Sequence, residues 1–155
     1  MARAVFRSQW EKLFGRVDSP IEARFLETFC PLAIEHGFEV AKASKGAGII
    51  IVEPQKWFDQ YRLDFLVTYP FFGDVLQIAI ECDGHEFHEK TKEQAKKDKR
   101  RDRDLQRLGI QVFHFTGSEI FNAPTMCADE VLDAIETFQT DCFVRHLDEA
   151  QRKAA

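Results

Sequence analysis

The sequence predicts an α/β sandwich, a mixed central sheet flanked by helices. Three observations carry this. Apolar residues recur at helical spacing near both ends of the chain. β-branched runs and two-residue alternation fill the middle. A highly charged helix then separates one further strand from the rest. The order reads αα, three strands, α, β, α. The 155 residues suffice for one core, and residues 1–155 read as a single domain.

Residues 2–16 form the expected first helix, with Val5, Trp10, Leu13 and Phe14 as its buried stripe. Ser19, Pro20 and Glu22 then mark a helix start, as N-cap, first helical residue and capping-box acid. Ile21, Phe25, Phe29 and Leu32 line this second helix, and Gly37 closes it. Residues 38–48 connect, with room for a short edge strand. The run Gly48-Ile49-Ile50-Ile51-Val52 is a strand that Pro54 should end or bend. Residues 60–69 form the next strand, with Arg62, Asp64 and Leu66 on one face and Leu63, Phe65 and Val67 on the other. Residues 70–74 turn the chain.

The stretch LQIAIECDGHEFH, residues 76–88, returns as the hairpin partner. Leu76, Ile78 and Ile80 alternate with Gln77, Ala79 and Glu81, and Gly84 breaks the strand. Glu81, Asp83, His85 and His88 thus gather at one strand terminus, a costly cluster unless something cationic binds there. With the turn centred between Phe72 and Gly73, Asp64 falls opposite Glu81 and Arg62 opposite Asp83. Facing carboxylates on neighbouring strands destabilise a sheet unless they are bridged, and a divalent cation such as Mg²⁺ bridges them naturally. The Arg62–Asp83 pair also reads as a plain cross-strand salt bridge. A one-residue slip would separate the two acids.

Thr91, with Gln94 three residues on, starts a third helix that runs to about Leu108 and stops at Gly109. Its inner stripe would be Ala95, Asp98, Asp102 and Leu105, with Asp98, Arg101 and Asp102 as an internal polar network. Residues 110–115 form a further strand, Gly117-Ser118-Glu119 a turn or short helix, and residues 124–147 a last long helix with Val131, Ile135, Phe138 and Cys142 on one side. The tail should fray.

Hydrophobic residues make up 45% of the chain and charged ones 30%, the balance of a globular protein. No apolar run approaches a membrane span, and the charged N-terminal stretch does not read as a secretory signal. The four cysteines lack C-x-x-C spacing and read as free thiols of a reducing cytoplasm. Net charge is −5, which disfavours nucleic acid overall. Residues 90–107, however, hold nine Lys or Arg against four Asp or Glu. That segment is either a phosphate-contacting face or a solvated helix laced with ion pairs.

An Asp on one strand followed by Glu-x-(Lys or a substitute) on the next resembles the PD-(D/E)XK nuclease superfamily. More closely, Asp64-Phe65, Glu81-Cys82-Asp83-Gly84 with His88, Arg101-Asp102 with Leu105, and Gly109 with Val112 resemble the small single-domain branch related to very-short-patch-repair endonucleases. The likeness covers residues 61–120, with Glu22 as a helical contributor upstream. It implies a restriction-endonuclease-like fold and a Mg²⁺- or Mn²⁺-dependent DNA endonuclease. Asp64, Glu81 and the Cys82 carbonyl would hold the metal. Two positions depart from the pattern. Asp83 stands where the superfamily carries lysine, so that Lys92 or another helix lysine would have to substitute. His114 stands where relatives often carry arginine.

Asp64 and Glu81 are therefore the expected metal ligands. Asp83 is either a site acid or a partner of Arg62. His88 would polarise water or contact a phosphate, or is an exposed loop residue, as His85 is expected to be. Glu22 either points into the site or only caps its helix. Lys92, Lys96, Lys97, Arg100 and Arg103 would bind the nucleic-acid backbone. A zinc site built on His85, His88 and a cysteine lacks four-ligand spacing. The rival functions are an inactive nuclease fold that binds DNA or protein, and an α/β protein whose acids are salt-bridge partners. Cutting both strands usually needs two active sites, which allows a homodimer.

Overall fold

The computed structural model describes residues 8–43, 46–84 and 91–155. Ser8 and Glu11 form a capping box on α1 (Gln9–Phe14). Phe14 is buried but Leu13 is 61% exposed, against the expected stripe. Neighbours on a helix point about 100° apart, and so short a helix cannot bury both. Val5 lies outside the described residues. Helix α2 (Pro20–Glu35) starts on the Ser19 cap and buries Phe25, Leu26, Phe29, Cys30 and Ala33. Gly37 follows it at φ +87°.

Five strands make one sheet in the order β1-β2-β3-β4-β5: β1 (Glu39–Ala41), β2 (Ile49–Phe58), β3 (Tyr61–Phe71), β4 (Asp74–Asp83) and β5 (Ile110–Thr116). β2, β3 and β4 are antiparallel neighbours. β1 runs parallel to β2, and β5 parallel to β4. Pro54 does not end its strand, since β2 continues to Phe58, but the strand bends there, as the sequence allowed: the next residue, Gln55, has φ +53°. β1 covers only Ile49 to Ile51, so Pro54 lies beyond it, where a missing N–H costs no ladder bond.

The β3–β4 register is the expected one, from Phe71↔Asp74 to Phe65↔Ile80. Phe72 (φ +49°) and Gly73 (φ +84°) form the two-residue turn whose twist suits a hairpin. The faces of β3 are less regular than expected. Phe65 and Val67 pack with α2, whereas Leu63 joins Leu66 in the opposite cluster. Strict alternation therefore fails around Asp64.

Helix α3 (Lys92–Arg107) carries the full Thr91–Gln94 capping box, and Gly109 ends it at φ +81°. Helix α4 (Gly117–Asn122) is capped by Thr116 and Glu119. Helix α5 (Pro124–Ala154) runs through the tail expected to fray. Asp148 and Arg152, and Glu149 and Lys153, stand at the i,i+4 spacing that supports exposed helix.

Two apolar clusters fix the layers. Phe25, Leu26 and Phe29 of α2 and Val131, Leu132 and Ile135 of α5 cover one face, over Phe65, Val67, Ile78 and Ile80. Leu105 of α3 covers the other, with Leu63, Leu66, Ala79 and Ile110. The result is a mixed sheet with helices on both faces, the restriction-endonuclease-like sandwich. No helix among the described residues is long and apolar enough to cross a membrane.

Candidate active site

One level of the sheet gathers four polar residues from four strands. The β3–β4 ladder ends at Phe65↔Ile80, so its next rung sets Asp64 against Glu81. β4 pairs Glu81 with His114 of β5. On the other side, Pro54↔Phe65 and Lys56↔Leu63 bracket Gln55 and Asp64. The row reads Gln55, Asp64, Glu81, His114.

Gln55 departs from strand geometry, with φ +53°. That left-handed backbone costs a non-glycine residue about 1 kcal/mol or more. Its side chain reaches α2, where Nε2 donates to Glu22 Oε2 at 2.6 Å. Glu22 is only 5% exposed. It also accepts from the Asp18 N–H at 2.9 Å and the Ser19 hydroxyl at 2.8 Å. Glu22 is thus more than a cap: it closes the N-terminus of α2 and binds a residue on the rung of Asp64.

Asp64 Oδ2 accepts the backbone N–H of Cys82 at 2.8 Å. Burial pushes the Asp64 carboxyl up to about 6; the Cys82 N–H opposes this, and the charge of Glu22 adds to it. Glu81 is 6% exposed and is pushed up to about 7, first by burial, with Arg101 opposing and Asp64 adding. The Cys82 thiol is raised by burial and then by Asp64, Glu22, Glu81 and Asp83. The charges of all four acids thus bear on the backbone around Cys82.

The cation at this point is Arg101 of α3. Its Nη2 lies 2.6 Å from Glu81 Oε1 and donates to the Arg62 carbonyl at 2.7 Å. The guanidinium lies over the Tyr61 ring, 5.9 Å from its centroid, and Tyr61 donates to Asp104 at 2.7 Å. Arg101, expected to share an internal polar network with Asp98 and Asp102, pairs with an acid of the sheet, and Asp102 with His114 of β5.

The Arg62–Asp83 salt bridge is not the pairing the structure records. Arg62 reaches Asp18 of the segment before α2, at 2.7 Å. Asp83 meets His114 Nδ1 at 3.0 Å, and His114 Nε2 lies 3.1 Å from Asp102. Parallel pairing sets Glu81, not Asp83, level with His114, but the imidazole reaches along the strand. The hydrogen bond to Asp83 is the largest of several effects that raise His114 to about 9. At neutral pH it is an imidazolium donating to both acids. A cavity of about 400 Å³ opens beside it, lined by Asp83, Asp98, Lys99, Asp102, His114 and Thr116.

On the outer side of α3, Lys92, Lys96, Lys99 and Arg103 line a shallow depression. Lys97 and Arg100 are exposed on the same helix. His85 and His88 lie outside the described residues, so the zinc arrangement and the role of His88 have no geometry here. Among the described residues, no three His, Cys, Asp or Glu side chains converge closely enough to enclose a metal. The Asp64–Glu81 pair nevertheless fits a hard cation, because Mg²⁺ takes one or two carboxylates and completes its shell with water and substrate phosphate.

Sequence reasoning named Asp64, Glu81 and Glu22 as candidates but not Gln55, which the structure sets on the same level of the sheet and bonds to Glu22. The signal was present: placing the turn at Asp59-Gln60 makes Gln55 the neighbour of Asp64. It was hidden by reading Pro54 as a strand end.

No curated protein and no solved structure matches the chain. The family model REase_MTES_1575 matches residues 38–135, which span β1 to the first turns of α5 and include Asp64, Glu81, Arg101 and His114. With the helix-flanked mixed sheet and the acid pair at its centre, the chain belongs to this restriction-endonuclease-like family.

Proposed function

We infer that the chain is a Mg²⁺- or Mn²⁺-dependent endonuclease that hydrolyses phosphodiester bonds of DNA. The observation that supports this best is the Asp64–Glu81 pair. Two carboxylates on one rung, both driven toward the neutral form by burial, are costly to keep without a cation. Asp64 and Glu81, with the Cys82 carbonyl, would hold the ion. A bound divalent ion supplies Lewis acidity at a phosphate oxygen and a water nucleophile at neutral pH.

The protein groups divide the remaining work. Asp64 is fixed through Oδ2 and Glu81 through Oε1, which orients the other oxygen of each. Arg101 takes the place of the absent motif lysine. An arginine stays protonated, so its role is to stabilise charge on the phosphorus, not to accept a proton. Glu22, held by Gln55, adds a third acid at the strand end. Asp83 is neutralised by His114, and the pair orients the strand terminus. His88 would contact the phosphate or relay a proton. Lys92, Lys96, Lys97, Arg100 and Arg103 would hold the DNA backbone. The motif order favours the branch related to very-short-patch-repair endonucleases, with a role in repair or mobile-element DNA processing. Residues 1–155 would act as one cytoplasmic domain, paired as a homodimer if both strands are cut.

The test is incubation of purified protein with plasmid, single-stranded DNA and RNA in Mg²⁺, Mn²⁺ or EDTA, beside Asp64→Asn. Cleavage that needs the metal and Asp64 supports the reading. Two observations favour a second reading: Arg101 already pairs with Glu81, and Asp83 replaces the motif lysine. An inactive fold that binds DNA or protein would show salt-dependent DNA binding, or none, without any cleavage.

A further inference from the structure

We propose that Gln55 is a positioning residue of the candidate site: it holds Glu22 so that one carboxylate oxygen is left to accept a hydrogen bond from a water of the bound ion's shell. The first sign is a left-handed backbone inside a strand. Gln55 has φ +53°, where glycine or asparagine would be less costly. Strain of this kind persists where the surroundings enforce it, and it gathers at functional sites. The contact it makes possible is Nε2 to Glu22 Oε2, at 2.6 Å. A carboxylate can only accept, so the NH₂ end of the amide must face Glu22.

The donors around Glu22 fix which oxygen remains. Oε2 accepts the Asp18 N–H at 2.9 Å as well as the Gln55 amide, and Oε1 accepts the Ser19 hydroxyl at 2.8 Å. Each carboxylate oxygen has room for about two donors. Gln55 therefore completes Oε2, and among the described residues Oε1 keeps a place for a further donor. All these donors are neutral, so they orient the charge without cancelling it. That charge reaches the acid row: the Asp64 carboxyl is raised chiefly by burial, with Glu22 adding to it. A second tie lies close by. Arg62 of β3 meets Asp18, just ahead of α2, at 2.7 Å. Adjacent strands thus each anchor the start of α2 within two residues of the Asp64 level. Among the described residues, no three acids close on one point. Glu22 therefore acts through a water, as an outer-shell group that orients what binds the ion.

This role rests on the metal-dependent nuclease reading, so two readouts are taken. One is Mn²⁺ affinity without DNA, by electron paramagnetic resonance; the other is kcat and KM on plasmid. Gln55→Ala removes the amide. Gln55→Asn tolerates the left-handed backbone but is one methylene too short to reach Glu22. Gln55→Glu keeps the shape and offers no donor when ionised. All three should lose about 10- to 100-fold in Mn²⁺ affinity and a similar factor in kcat, the usual cost of an outer-shell partner. KM for DNA should change little, and melting curves should show folded protein. The exchange of Glu22→Gln with Gln55→Glu rebuilds the bond with its ends reversed. It should restore the melting temperature but neither Mn²⁺ affinity nor kcat, because the carboxylate no longer stands at position 22. Recovery of both in the exchange variant overturns the proposal, since the bond alone would then suffice. Wild-type rate and Mn²⁺ affinity in Gln55→Asn overturn it too, as does a loss that tracks the fraction of unfolded protein. A wild type that neither takes up Mn²⁺ nor cleaves DNA sinks the nuclease reading and this role with it. A working wild type beside working variants sinks this role alone.

Discussion

Arg101 Nη2 lies 2.6 Å from Glu81 Oε1, and it links helix α3 to the acid row of the sheet. The same guanidinium holds the Arg62 carbonyl and covers Tyr61, so its position is set from three sides. If Arg101 stabilises charge on the scissile phosphate, Arg101→Met should cut kcat about 100- to 1000-fold, the usual cost of one preorganised electrostatic donor. Arg101→Lys should keep part of the rate, because the charge remains while the fork is lost. Equal activity in all three proteins would reduce Arg101 to a partner of Glu81.

His114 gives a stability signature at alkaline pH. Its folded pKa is raised to about 9, against 6.5 ordinarily, chiefly by its hydrogen bond to Asp83 and also by that to Asp102. A raised histidine contributes stability that is full below its unfolded pKa and is lost as pH rises through the folded one. The melting-temperature gap between wild type and His114→Gln should be widest near pH 6 and close by about pH 10. A gap that does not change with pH would mean that His114 acts by packing alone.

The sequence carried the layers and the acid pair because both follow from local rules. Alternation at Leu76, Ile78 and Ile80, with a two-residue turn at Phe72-Gly73, determines the register that brings Asp64 to Glu81. Capping by Ser19 and Thr91 marks the starts of α2 and α3. What stayed hidden depends on long-range geometry. The partner of Glu81 is 20 residues away, on a helix that crosses the opposite face. Gln55 reaches Glu22 only because its backbone turns left-handed within a strand, which no periodicity announces. Arg62 pairs with Asp18, and Asp83 with His114 of the neighbouring strand, both contacts between segments far apart in the chain.

The outer face of α3 should set the salt dependence of DNA binding. Lys92, Lys96, Lys99 and Arg103 share one depression, at helical spacings that keep them on one side. Reversing these four charges should weaken duplex binding at low salt. It should also flatten the slope of log affinity against log salt by up to about 3.6, which is roughly 0.9 for each phosphate that is no longer neutralised. Reversing Lys97 and Arg100 instead separates this face from its neighbour. Affinity and slope that stay put in both variants would make α3 a solvated helix.

Asp64→Asn separates a metal site from a structural acid pair. In the wild-type protein without metal, Asp64 is raised from 3.8 to about 6 and Glu81 from 4.5 to about 7. For acids raised in this way, the folded state binds more protons than the unfolded one between those values. Their contribution is full below the unfolded pKa values and is lost as pH rises through the folded ones. The apo protein should therefore lose stability between about pH 4 and pH 7. Asparagine retains an oxygen to accept the Cys82 N–H and removes one of two facing charges. Asp64→Asn should then melt at or above wild type near pH 8, with a flatter pH profile, while metal-dependent cleavage disappears. Glu81→Gln should also lose cleavage but gain less stability, because Arg101 is left with the Arg62 carbonyl and without its carboxylate. Mn²⁺ should raise the melting temperature of the wild type and leave that of Asp64→Asn unchanged. If Asp64→Asn melts well below the wild type at pH 8 and Mn²⁺ shifts neither protein, Asp64 is a structural anchor for Cys82 and the metal reading fails.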